Sequence, residues 1–174
     1  MSNIKETQER YIKWGLEQGA LHVVLIDPNR DLVFDTRTIL KCLYGCGDFG
    51  LNHTCPSRPG NLSLADWEQN LRCYSWALLI HSHDQKLNQK VAFGLEQMAF
   101  VEGYYFAFSF SDCKLCSECA GIEGKRCRFV RQARPALHSV GVDLFATTRR
   151  LGLPLRTLAQ EGEEENWYSA VFVE

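Results

Sequence analysis

The stretch SFSDCKLCSECAGIEGKRCRFVRQARP carries Cys113, Cys116, Cys119 and Cys127 within fifteen positions. Sulfurs that close together need a partner, and the surroundings limit which. A chain of 174 residues buries roughly two thirds of its unfolded surface, so its core does not need disulfides. The opening MSNIKETQERYIKW lacks the apolar core of a signal peptide, and no later stretch runs about 18 apolar residues without a charge. The expectation is a soluble cytoplasmic protein in which thiols stay reduced. There, eight cysteines mean metal or redox chemistry rather than a disulfide framework.

A second group, Cys42, Cys46 and Cys55, lies in KCLYGCGDFGLNHTCPSRPGN, residues 41–61, a text rich in Gly and Pro and too polar for a core element. It reads as a loop that something must anchor. Around it the chain reads as one α+β domain spanning 1–174, with no internal repeat or low-complexity linker. A helix runs to about residue 19. ALHVVLID reads as a buried strand, and the turn at residues 28–31 would return LVFD beside it as a hairpin. A capping-box start at Ser63 and Asp66 opens a helix over 62–74 with Leu64, Trp67 and Leu71 on one face. WALLIHSH and YYFAFSF are strands on either side of an amphipathic helix of some eighteen residues. That βαβ unit predicts two parallel strands in a small mixed sheet with helices packed on it. Short helices near 136–140 and 143–151, the latter capped by Asp143, and a last strand WYSAVFV complete the reading.

The spacing Cys-x2-Cys-x2-Cys-x7-Cys turns successive sulfurs towards one centre. Three cysteines in tandem resemble the opening of a bacterial ferredoxin loop, Cys-x2-Cys-x2-Cys-x3-Cys-Pro, although the gap to Cys127 is longer and no proline follows it. Zinc sites more often show two separated pairs. The reading is therefore one or two [4Fe-4S] clusters, with zinc as the alternative. The downstream group supplies four thiols and the upstream group three. Candidates for the missing upstream ligand are Cys73, which lies off the apolar stripe of its helix, and His53, two residues before Cys55. An exchange in which Cys127 serves the other group is a further arrangement.

With both groups in view, the chain resembles a family of predicted cysteine-rich metal-binding proteins, domain of unknown function 2284. The resemblance rests on the segment from KCLYGC to CP, on GYYFAFSF leading into CKLCSEC, and on CRFVRQARPALHSVGVDL, over residues 40 to 152. It implies two cysteine-rich metal sites, compatible with iron–sulfur clusters, and no established reaction. Family members usually carry an acid near the position of His138.

Lys125, Arg126, Arg128, Arg131 and Arg134 place five cations in ten residues. They suit the negative charge of a thiolate-held cluster or an acidic redox partner protein. A net charge of −2 gives no reason to expect nucleic acid. His81 and His83 share one face of a strand end, where solvation is the simpler account than metal. No phosphate loop or nucleophile motif is present. The function expected is an iron–sulfur redox protein passing electrons to or from a partner. The alternatives are an enzyme with an open iron on a three-cysteine cluster and a zinc-stabilised interaction domain.

Overall fold

Two strands are buried along almost their whole length, β2 (Ala77–Ser82) and β4 (Trp167–Phe172). Strands apolar on both faces belong at the centre of a sheet covered on both sides, and these two pair antiparallel there. β1 (His22–Ile26) flanks β2 and β3 (Phe108–Phe110) flanks β4, giving the order β1-β2-β4-β3. The computed structural model describes residues 3–58, 60–158, 160 and 162–174.

Every hydrogen-bonded pair of strands in the sheet is antiparallel, where the sequence reading expected a mixed sheet. The βαβ unit is present in split form. β2 and β3 run in the same direction, joined through α5 (Gln85–Val101), but β4 lies between them and pairs with both. The α+β class stands.

One face of the sheet presents Val23, Leu78, Ile80 and Val171 to α1 (Ile4–Glu17) and α5, which add Tyr11, Val91 and Leu95. The two helices approach closely because residue 94 is glycine: a Cβ there would collide with the Trp14 ring. The other face presents Ile26, Leu79, Phe110, Ala170 and Phe172 to Leu32, Leu71, Leu137, Val140 and Val142. Leu71 comes from α4 (Leu64–Leu71), whose capping box of Ser63 and Asp66 forms as the sequence indicates. Leu137 and Val140 come from a 3-10 turn (His138–Val140) and the residue before it. α6 (Leu144–Leu151) follows, with Asp143 accepting a hydrogen bond from the Ala146 amide.

The expected hairpin does not form. Pro28 begins a four-residue helix, α2 (Pro28–Asp31), capped by Asp27, which turns the chain away from β1. Phe34 then makes a single bridge to Val142. The expected loop from residue 41 also begins differently, inside α3 (Thr38–Gly45). The chain from 33 to 70 contributes no buried residue among those described, so α3 and the turns after it lie outside the apolar core.

Candidate metal centre

α3 places the first two thiols of the upstream group. Cys42 sits in its last turn, and Cys46 follows its end, donating its backbone N–H to the Cys42 carbonyl at 3.3 Å. Residues four apart on a helix share a face, so the Cys-x3-Cys spacing sends both sulfurs the same way. Beyond Cys46 the chain descends in single turns: Phe49 N–H to the Cys46 carbonyl, Leu51 N–H to Asp48, Cys55 N–H to Asn52 and Arg58 N–H to Cys55. The Cys55 sulfur is held by two polar neighbours. The Gly50 amide donates to it at 2.9 Å, and the Ser57 hydroxyl lies 3.1 Å away. Burial pushes the Cys42 thiol above its ordinary range, reinforced by the charges of Cys46 and Cys55.

The downstream loop is anchored at both ends. Ser111 N–H donates to the Pro135 carbonyl and closes its base. Above the base, Lys114 N–H donates to the Oε1 of Gln89, a buried residue of α5. Partial desolvation raises the Cys113 thiol, opposed by the Leu115 amide. Further turns join Ile122 to Cys119 and Lys125 to Ala120. At the far end Arg134 folds inward. Its guanidinium pairs with Glu96 of α5, with Nε 2.8 Å from Oε2, and lies over the rings of Phe93 and Phe108. The same carboxylate accepts from the Ser109 amide and hydroxyl. Cation and carboxylate are both desolvated, and each has its charge matched.

The two loops then meet. Gly121 lies so close to the upstream turn that a Cβ would collide with the Leu51 carbonyl oxygen and press on the His53 amide and the Arg58 guanidinium. Between the loops is a cavity of about 370 Å³ lined by Cys42, Cys46, Cys55, Cys113, Cys116, Cys119 and Cys127. Its polar lining includes Asp48, Asn52, His53, Asp112, Glu118 and His138. The Asp112 carboxyl, about a quarter exposed, stands above the usual carboxylate range because the surrounding protein desolvates it, an effect that His138, 3.9 Å away, opposes. Three buried polar atoms of the upstream turn, Asn52 Oδ1, His53 Nδ1 and Arg58 Nη1, have no hydrogen-bond partner.

Thiols in this number form a soft donor set suited to iron–sulfur clusters or zinc and unsuited to magnesium or calcium. Among the described residues no three His, Cys, Asp or Glu side chains already converge at single-ion spacing. A four-iron cluster held wholly by protein takes one ligand per iron, at separate corners of a cube, whereas one held by three cysteines leaves an iron open. All eight cysteines are free.

Cys73 lies apart from the other seven. Its side chain is exposed, its sulfur faces the Gln69 carbonyl at 3.4 Å, and it borders a different cavity with Trp67 and Tyr74. The basic run also divides. Arg126, Arg128 and Arg131 are exposed, Lys125 pairs with Glu123 at 2.6 Å, and Arg134 is withdrawn into its ion pair. His81 is not at a solvated strand end. It is buried and stacked between His22 and Tyr168, with Nε2 2.8 Å from Asn166 Oδ1. Burial lowers its pKa below the ordinary imidazole value. Sequence reasoning passed over Gln89 and Asp112. Gln89 gave no signal, since at 100° per residue it lies about 160° round the helix from Val91, on the side that reads as solvent-facing. Asp112 adjoins Cys113, but nothing local marks its carboxyl as desolvated.

No described helix is long and apolar enough to cross a membrane. A family model described as "Predicted metal-binding protein (DUF2284)" matches residues 25–173. No curated protein and no solved structure matches the chain.

Proposed function

Because the chain belongs to the DUF2284 family of predicted metal-binding proteins, we propose that its metal centre is of iron–sulfur type and that the protein passes electrons to or from a partner. The observation that carries this reading is the single cavity between the two loops, lined by seven thiols from both groups. Cys113, Cys116, Cys119 and Cys127 supply the four ligands of one [4Fe-4S] cluster, and Cys42, Cys46 and Cys55 supply three of a second. When bound, such clusters store and release single electrons at potentials set by charge and hydrogen bonding.

The chain's own residues tune that potential. The Gly50 amide and Ser57 hydroxyl draw negative charge from the Cys55 sulfur, which favours the reduced state. The Leu115 amide does the same beside Cys113. Arg126, Arg128 and Arg131 are each exposed within four positions of Cys127, and an acidic redox partner docks on these charges by complementarity. Lys125 has its charge shared by Glu123, while Arg134 serves the fold instead. Reduced thiols suit a cytoplasmic setting.

A second reading is carried by the position of Cys73. With that thiol facing Gln69 rather than the seven-cysteine cavity, the upstream group has three cysteines, and an iron left open there would bind a substrate. The test of both readings is anaerobic purification with iron, sulfide, zinc and absorbance measured on one sample. About four or eight iron atoms per chain with matching sulfide are expected. Stoichiometric zinc without iron or sulfide overturns the redox reading and leaves a zinc-stabilised interaction domain.

A further inference from the structure

Seven thiols divide as four and three, and a four-iron cluster closed by protein alone takes four ligands. An eighth donor is therefore needed to close the second centre, and Cys73 stands outside the cavity. The cavity wall holds few other atoms able to bind a soft metal. Asp48, Asn52 and Glu118 offer only oxygen, a hard donor. Asp112 and His138 face each other across 3.9 Å. His53 differs from all of these. Its Nδ1 is buried without a hydrogen-bond partner, which is unfavourable unless something supplies the missing contact. Its backbone amide lies against Gly121 of the other loop, and His53 lines the cavity between them.

Resting on the iron–sulfur reading, we infer that His53 Nδ1 is the fourth protein ligand of the centre on the Cys42, Cys46 and Cys55 loop. That centre is then closed by three thiolates and one imidazole. Two consequences follow. Neither centre keeps an open iron, which favours the electron carrier over the enzyme. Replacing a thiolate by a neutral imidazole removes one negative charge, and this moves a cluster's potential upward, as it does where two histidines replace two cysteines on one iron of a two-iron centre.

The test uses the full chain, purified anaerobically and reduced, with histidine carrying either ¹⁴N or ¹⁵N. Pulsed electron paramagnetic resonance is expected to show a nitrogen coupling that changes with the label. It should be lost in His53→Gln and retained in His138→Gln. His53→Cys should keep the cluster, lose the coupling and shift the potential to more negative values. Cluster signals without histidine coupling in the wild type, or a coupling that survives His53→Gln or disappears in His138→Gln, overturn the assignment. Metal analysis on the same samples separates this from failure of the iron–sulfur reading. If the metal is zinc, X-ray absorption at its edge decides the ligand instead: imidazole scattering lost in His53→Gln supports His53, and its absence from the wild type overturns it. A chain that holds neither metal overturns both.

Discussion

The sheet with its helices and the pair of cysteine loops are two regions held by different forces. In the first, β2 and β4 are buried almost throughout, and apolar residues cover both faces. In the second, over residues 38–62 and 112–134, the only buried described residues are Ala120 and Gly121. What the loops have instead is a succession of single turns, two close backbone contacts and seven thiols around one cavity. Burial of apolar surface stabilises the sheet without any ligand. The loops have little of that stabilisation, so bonds to metal are what should hold their closed form.

Removing the metal should break this comparison most sharply. Chelation under anaerobic conditions, or Cys116→Ser, is expected to expose residues 38–62 and 112–134 to protease while the sheet keeps its circular dichroism. A Cys116→Ser protein with full metal content and unchanged protease resistance would show that the loops are held in some other way.

The next largest effect lies where the regions join. Arg134 ends the downstream loop and Glu96 belongs to the helix on the sheet, each with its side chain about nine-tenths buried. Arg134→Met leaves the carboxylate buried and unpaired, and should cost about 3–5 kcal/mol, read as a lower urea midpoint for the sheet as well as the loop. If only the loop responds, the clamp is local. The basic run shows how little of this was visible in the sequence. Arg126, Arg128, Arg131 and Arg134 look alike in the text, yet only the last finds a buried acid, thirty-eight positions earlier in the chain.

A smaller effect should appear in the sheet alone. The buried His81 ring stays neutral in the fold, with His22, His83 and Glu164 as its charged or titratable neighbours. Its pKa is lower folded than unfolded, so its contribution to stability is complete above the unfolded value of about 6.5 and is lost as pH falls from there towards the folded value. Unfolding free energy should therefore decline on the acid side of pH 6.5, by at most about 1.4 kcal/mol per pH unit from this group. His81→Phe should flatten that slope; a slope unchanged in the variant would place the titration elsewhere.

The smallest effect is expected for Cys73→Ser. With its sulfur on the Gln69 carbonyl and outside the seven-thiol cavity, the variant should retain metal content and reduction potential. Loss of metal in it would bring Cys73 into the site and displace His53 from the role inferred for it.

Features that depend on neighbours a few positions apart could be read along the chain. The tandem spacing of Cys113, Cys116 and Cys119, the caps at Ser63 and Asp143, and the apolar runs of β2 and β4 were legible because turns, caps and side-chain periodicity are short-range. The α+β class followed from those elements. Tertiary structure decided what depends on which distant segment wins a given contact. β4 enters between β2 and β3, since a strand buried on both faces gains most at the centre of a covered sheet. The turn at Pro28 could have closed a hairpin, but Asp27 caps a helix there and Phe34 goes to Val142 instead. Only the fold brings Gly121 against Leu51 and His53, so that two cysteine groups nearly sixty residues apart share one cavity while Cys73 faces away. Spacing along the chain fixes which sulfurs can act together locally, whereas the meeting of the two loops depends on the core that carries them.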